Sequence, residues 1–114
     1  MPTRYYIRLP DPANARGPDP TLAFRAHGAH AFAEELQHAL RTDVLFQRWR
    51  QALDDPDDAD PALGATDPEA RVHGHMDDLH VDLEVVTSLP STVLRQRLDL
   101  LAGKHWELRD VAAG

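Results

Sequence analysis

The sequence predicts an α+β domain of the ferredoxin-like kind, a split βαββαβ unit with a four-stranded antiparallel sheet and helices on one face. Apolar residues alternate with polar ones in four short segments, and they recur at helical spacing in the segments between. The resulting order is β, α, β, β, α, β. The 114 residues are enough for one domain spanning residues 1–114. An extra helix and an acidic loop are inserted before the second strand.

The first part of the chain predicts one strand followed by a helical region. In TRYYIRLP, apolar and polar residues alternate, which is typical of a half-buried strand. Helical spacing extends from Thr21 to Arg41, and a second apolar stripe follows Asp43, which is a candidate N-cap. The pattern is compatible with one helix or two over residues 21–53. Prolines and aspartates then predict an acidic loop over residues 54–69.

The segment RVHGHMDDLHVDLEVV, residues 71–86, predicts a β-hairpin. If Asp77 and Asp78 form a two-residue turn, the aliphatic residues share one face and the polar residues share the other. A register shifted by one residue would mix the two faces. The predicted pairs are Met76–Leu79, Gly74–Val81, Val72–Leu83, His75–His80, His73–Asp82 and Arg71–Glu84.

The last part of the chain predicts a helix and a closing strand. The helix in SLPSTVLRQRLDLLAGK has Ser88 or Ser91 as its N-cap and ends at Gly103, and HWELRDVA forms the strand. Right-handed crossovers place the first and third strands in the centre of the sheet. The face without helices is then polar, and its predicted interaction residues are Arg4, Tyr6, Arg8, Glu84, Glu107 and Arg109.

Composition and charge exclude several functions. The chain has 19 acidic and 12 basic residues and a formal charge of −7, which argues against nucleic-acid binding. It has no cysteine, so disulfides and thiolate chemistry are excluded. No apolar run has the length of a signal peptide or a membrane span. We therefore expect a soluble, cytoplasmic protein that does not associate with membranes.

The hairpin histidines raise the alternative of a metal site. Imidazole and carboxylate groups on neighbouring strands can bind zinc or another transition metal, and the candidate ligands are His73, His75, His80 and Asp82. The simpler interpretation is that these side chains face water and hold no cofactor. A second polar row lies away from the apolar face of the first helix and is expected to be solvated; it consists of His27, His30, Glu34 and His38.

The sequence leaves three functions open. The first is a non-catalytic interaction module that binds a protein partner or a second copy through the polar sheet face. The second is a metal-binding protein or metal-dependent enzyme that uses the hairpin histidines. The third is an acidic inhibitor or immunity-type protein that binds a basic partner through the loop at residues 54–69. The sequence identifies no catalytic residue set, and the first interpretation, which involves no catalysis, is the one that we favour.

Overall fold

The fold is described by a computed structural model that covers residues 2–114. Its strands are β1 (Thr3–Leu9), β2 (Arg71–Asp77), β3 (His80–Thr87) and β4 (Glu107–Ala113). Its α-helices are α1 (Ala29–Arg41), α2 (Val44–Ala52) and α3 (Ser91–Ala102), and short 3-10 turns lie at Pro12–Asn14, Pro56–Asp58 and Pro61–Gly64. The predicted α+β class is confirmed, and residues 21–53 contain two helices rather than one.

The four strands form one open antiparallel sheet in the order β2-β3-β1-β4. The first and third strands are therefore central, as the sequence predicted. α1 and α3 pack on one face of the sheet, where they share a core with alternate residues of β1 and β3. The arrangement is compatible with the ferredoxin-like fold, with α2 and the acidic loop inserted between α1 and β2.

Alternation along the strands and helical spacing along α1 and α3 build the core. Burial alternates along β1 and β3, so that one side of each strand faces the helices. The buried strand residues include Tyr5, Ile7, Leu9, Val81, Leu83 and Val85, and the helix residues of the same core include Phe32, Leu36, Leu40, Leu94 and Leu98. The ring of Phe24, before α1, packs edge-on against Phe32 with the centroids 4.9 Å apart. The segment that precedes α1 is therefore also part of the core.

The start of α1 differs from the prediction. The helix begins at Ala29 instead of near Thr21. The preceding backbone is held against the helix in a non-helical conformation, because the Ala26 N–H donates to the Glu35 carboxylate at 3.0 Å. Asp43 stands at the N-cap position of α2, as predicted, although its side chain accepts no capping hydrogen bond.

The prediction for α3 was wrong about the residue that caps its start and right about the residue that ends it. Pro90 occupies its N-cap position, so the predicted serine caps, Ser88 and Ser91, were wrong. The predicted C-terminal end is confirmed. Gly103 stops the helix with a φ of 63°, a left-handed conformation that glycine adopts without steric cost.

The predicted hairpin is present, but its predicted register was wrong by two residues. The turn consists of Asp78 and Leu79, and Asp77 pairs with His80 inside the ladder. Asp78 has a φ of 58°, which aspartate tolerates better than most residues. A shift of two residues keeps the side chains that remain in the ladder on their predicted faces and changes their partners. Leu79 is the exception, because it was predicted to pair with Met76 on the buried face and instead lies in the turn, where it is exposed. The observed pairs include His75–Asp82 and His73–Glu84, in place of His75–His80 and His73–Asp82.

Arg97 of α3 is fully buried and ties the acidic loop to the helices. Its guanidinium donates hydrogen bonds to the carbonyl oxygens of Ala39 at 3.0 Å, of Ala65 at 3.0 Å and of Leu63. Burial lowers the pKa of Arg97 from its ordinary value and Asp43 opposes that shift, but arginine titrates so far above neutral pH that the group stays charged. Backbone carbonyls from α1 and from the loop therefore stabilise the buried cation.

Asp67 is an inward-facing charge of the acidic loop. Its carboxylate accepts hydrogen bonds from the Thr87 hydroxyl at 2.8 Å, the Ser88 N–H at 2.9 Å and the Glu69 N–H at 3.1 Å. Burial raises the pKa of Asp67, but these hydrogen bonds lower it by more, so the pKa lies below its ordinary value. The other acidic side chains of residues 54–69 are exposed, and they are Asp54, Asp55, Asp57, Asp58, Asp60 and Glu69.

Arg97→Met should lower the free energy of unfolding by about 3 kcal/mol or more, because three carbonyl oxygens lose their donor while the side-chain volume is largely retained. Chemical denaturation followed by circular dichroism measures the change. Arg95→Met, at an exposed position of the same helix, is the matched control and should have an effect below about 0.5 kcal/mol. Equal effects of the two substitutions would contradict the role of Arg97.

Asp67→Asn should lower the free energy of unfolding at pH 7 by about 1–3 kcal/mol, because an amide cannot replace the charged acceptor. The pKa of Asp67 is lowered by folding, so its contribution is present above the unfolded carboxyl pKa of about 4 and is lost as pH falls through the folded pKa. Denaturation curves of the wild type and the variant should therefore converge in acid. Asp58→Asn, at an exposed residue, should match the wild type at every pH. If the difference in free energy of unfolding between the wild type and Asp67→Asn stays constant from neutral pH into acid, the charge of Asp67 is not involved.

Candidate recognition face and hairpin cluster

The sheet face opposite α1 and α3, called the open face below, holds polar side chains from all four strands. The strand register assigns these side chains, because they alternate with the buried ones. They include Arg71, His73, His75, Asp77, His80, Asp82 and Asp110, together with the six predicted interaction residues, Arg4, Tyr6, Arg8, Glu84, Glu107 and Arg109. The structure thus brings the predicted interaction residues onto one surface.

Two ion pairs cross the centre of the open face between β1 and β3. Arg4 Nη1 lies 2.9 Å from Glu84 Oε1, and Arg8 Nε donates to Asp82 Oδ1 at 2.9 Å. The hydrogen bond to Asp82 raises the pKa of Arg8. Partial burial raises the pKa of Asp82, but the hydrogen bond and charge of Arg8 outweigh it and leave this pKa below its ordinary value. Asp82 is therefore ionised at neutral pH, and the centre of the face is charge-paired.

A β-bulge reshapes the open face along β4. The register shifts between the pairs Ile7–Leu108 and Tyr6–Asp110, which leaves Arg109 as the extra residue. The strand also begins two residues later than the sequence predicted. Because of the bulge, the neighbouring side chains of Arg109 and Asp110 both line the open face.

A depression of about 390 Å³ lies on the open face between β4 and β2. Tyr6 is among its lining residues, with His73 and Glu84 towards one edge of the sheet and Arg109 and Asp110 towards the other. The depression therefore combines one aromatic ring with charged groups of both signs.

A group of candidate metal ligands, called the hairpin cluster below, lies at the turn end of β2 and β3. One ligand atom from each of His75, Asp77 and Asp82 lies within 4.8 Å of the other two. The Nε2 atom of His80 is 3.5 Å from Asp82 Oδ2 and 3.7 Å from Asp77 Oδ2. This nitrogen is buried and has no hydrogen-bond partner within residues 2–114.

The hairpin cluster differs in composition from the predicted set of metal ligands. Three predicted residues come together in it: His75, His80 and Asp82. His73 is not part of the group. Asp77 was assigned to the turn and was therefore missed, although its position two residues after His75 places it on the same face of the strand.

The second histidine row is exposed, as predicted. On α1, His30 Nε2 lies 2.9 Å from Glu34 Oε1, one helical turn away, and His38 follows on the same exposed side. His27 lies before the helix begins. These residues therefore form a solvated face of the molecule.

Comparisons with protein-family models, with curated protein sequences and with solved structures find no match for this chain. None of the helices described over residues 2–114 is long and apolar enough to cross a membrane.

Proposed function

We propose that the protein is a non-catalytic, self-associating module in which the open faces of two copies pack against each other. The chain has 19 acidic and 12 basic residues, yet its open face is close to neutral. Most of the negative charge therefore lies elsewhere, so two copies repel each other least when their open faces meet. The charged residues of the face are Arg4, Arg8, Arg71 and Arg109 against Asp77, Asp82, Glu84, Glu107 and Asp110.

A two-fold axis parallel to the strands gives complementary contacts. Such an axis places β4 of one copy over β2 of the other at the same height along the strands. Glu107 is level with His75 in the sheet, and the pairs that connect them are Glu107–Arg8, Arg8–Asp82 and Asp82–His75. By the same register, Asp110 is level with His73. Each of these carboxylates then faces a histidine of the second copy, and the symmetry repeats each contact.

The dimensions of the sheet predict a weak dimer. Its strands contain seven or eight residues, which span about 23 Å, and four strands spaced about 4.8 Å apart make a sheet about 19 Å wide. The resulting footprint, on the order of 450 Å², is below the roughly 800 Å² per partner of a standard interface. We therefore expect reversible association that depends on protein concentration.

We also propose that the domain is a ferredoxin-like split βαββαβ unit. The strand order β2-β3-β1-β4 supports this, with α1 between β1 and β2 in the chain and α3 between β3 and β4. The additional α2 and the acidic loop follow α1 and precede β2. This arrangement leaves one sheet face without helices, which is the face that self-association requires.

The acidic-inhibitor alternative has less support. Asp55 and Asp60 each accept a backbone N–H of their own loop at 3.0 Å, and Asp57 lies 3.6 Å from Arg50. Asp67 faces the core. Part of the loop's negative charge therefore stabilises the loop itself, and we favour the open face as the recognition surface.

Glu107→Arg should weaken self-association by roughly tenfold or more. The substitution replaces a carboxylate, which accepts a hydrogen bond from an imidazole N–H, by a guanidinium, which accepts none. The two-fold symmetry places that loss at both related contacts. Sedimentation velocity over a wide concentration series measures the dissociation constant of the dimer.

Glu34→Arg is the matched control for this experiment. It makes the same change of charge at an exposed position of α1, outside the open face, and should leave the dissociation constant unchanged. Circular dichroism checks that both variants fold. A wild-type protein that stays monomeric at every accessible concentration, or equal weakening by the two substitutions, would overturn the proposal.

A further inference from the structure

We propose that the hairpin cluster binds one divalent transition-metal ion of the zinc class, with His75, Asp77 and Asp82 as ligands and His80 as the fourth. All four residues belong to one copy of the chain. The set of ligands is therefore complete in a monomer. Its support comes from the spacing of the donor atoms, an unpartnered nitrogen, the orientation of one carboxylate and the mixture of ligand types.

The spacing of the donor atoms is close to that of a metal site. Three ligand atoms lie within 4.8 Å of one another, whereas donors about 2.1 Å from a tetrahedral ion lie roughly 3.4 Å apart. These three donors therefore need to move inward by no more than about 1 Å. His75 and Asp77 are exposed near the end of a hairpin, so changes in their side-chain rotamers allow this movement without disturbing the core.

The environment of His80 indicates a missing partner. Its Nε2 atom is buried and lacks a hydrogen-bond partner within the described chain, which is uncommon for a buried polar atom. The same atom lies 3.7 Å from an oxygen of Asp77 and 3.5 Å from an oxygen of Asp82. A cation held by the two carboxylates would supply the partner that this nitrogen lacks.

Arg8 fixes the orientation of the Asp82 carboxylate. It binds Oδ1 at 2.9 Å, and the Oδ2 atom remains on the side of His80. Carboxylate ligands of metal ions are commonly oriented by a second hydrogen-bond donor in this way. The positive charge of Arg8 opposes a bound cation, but the two carboxylates of the cluster carry more charge of the opposite sign.

The ligand types select the class of ion. Imidazole nitrogen suits zinc, nickel, copper and iron, and carboxylates complete such sites. Calcium and magnesium take oxygen ligands, and magnesium in addition demands near-ideal octahedral geometry. We therefore expect the hairpin cluster to bind zinc and to discriminate against magnesium.

Titration calorimetry on the full-length protein without a histidine tag tests this proposal, with zinc chloride as the probe and magnesium chloride for comparison. We expect saturable binding of one zinc ion per chain and no saturable binding of magnesium. In NMR spectra, the imidazole signals of His75 and His80 should shift during the zinc titration. Those of His27, His30 and His38 should not.

Asp77→Asn and Asp78→Asn form a matched pair of variants. Each removes one exposed carboxylate from adjacent residues, but Asp78 lies in the turn, where asparagine also tolerates the φ of 58°. Asp77→Asn should weaken zinc binding by roughly tenfold or more. Asp78→Asn should bind zinc as the wild type does, and circular dichroism checks that both variants fold.

Three results would overturn the zinc site: no saturable binding by the wild type, equal affinities of the two asparagine variants, or NMR shifts confined to the histidines outside the cluster. Glu107→Arg separates this proposal from self-association. Because Glu107 is not a ligand, this variant should bind zinc with wild-type affinity at protein concentrations where the wild type is monomeric.

Discussion

The buried guanidinium of Arg97 is the interaction on which the helical layer depends. It donates to a carbonyl near the end of α1 and to two carbonyls of the acidic loop, so it joins segments that are far apart in the sequence. A guanidinium suits this role because its five N–H donors can satisfy several acceptors at once. Its central carbon lies 6.0 Å from the centroid of the Phe46 ring, which brings α2 into the same layer. The inserted segment is thereby fixed beside the helices, away from the open face.

The sequence predicts the layers of this fold but not the contacts that join the insertion to them. Apolar spacing identifies the inward stripe of α3, and Arg97 falls within it, three residues after Leu94 and four before Leu101. Its acceptors, however, are backbone carbonyls, which every residue carries, so no side chain of the loop reveals the contact. The inward position of Asp67 was not predicted for the same reason, because two of the three groups that donate to its carboxylate are backbone N–H groups.

The hairpin shows what an alternating pattern determines and what it leaves open. A period of two assigns each residue to a face, and the open face was predictable on that basis. The register of the hairpin could not be predicted in the same way, because two registers that differ by two residues give the same faces. The position of the turn determines which of the two registers forms. Asp78 takes the left-handed position, which moves Asp77 from the turn into the ladder and makes Asp82 the partner of His75. The set of candidate ligands therefore changed although no ladder side chain changed face.

Asp82 connects the two proposals made for the open face. Its Oδ1 atom accepts a hydrogen bond from Arg8, and its Oδ2 atom belongs to the hairpin cluster. In the two-fold arrangement, Glu107 of the second copy lies over His75, so a divalent cation in the cluster would attract that carboxylate more strongly than an imidazole does. Because linkage is reciprocal, zinc binding and self-association would then strengthen each other. The zinc affinity of the wild type should consequently rise with protein concentration and that of Glu107→Arg should not; a wild-type affinity that stays constant as dimers form would show that the two processes are independent.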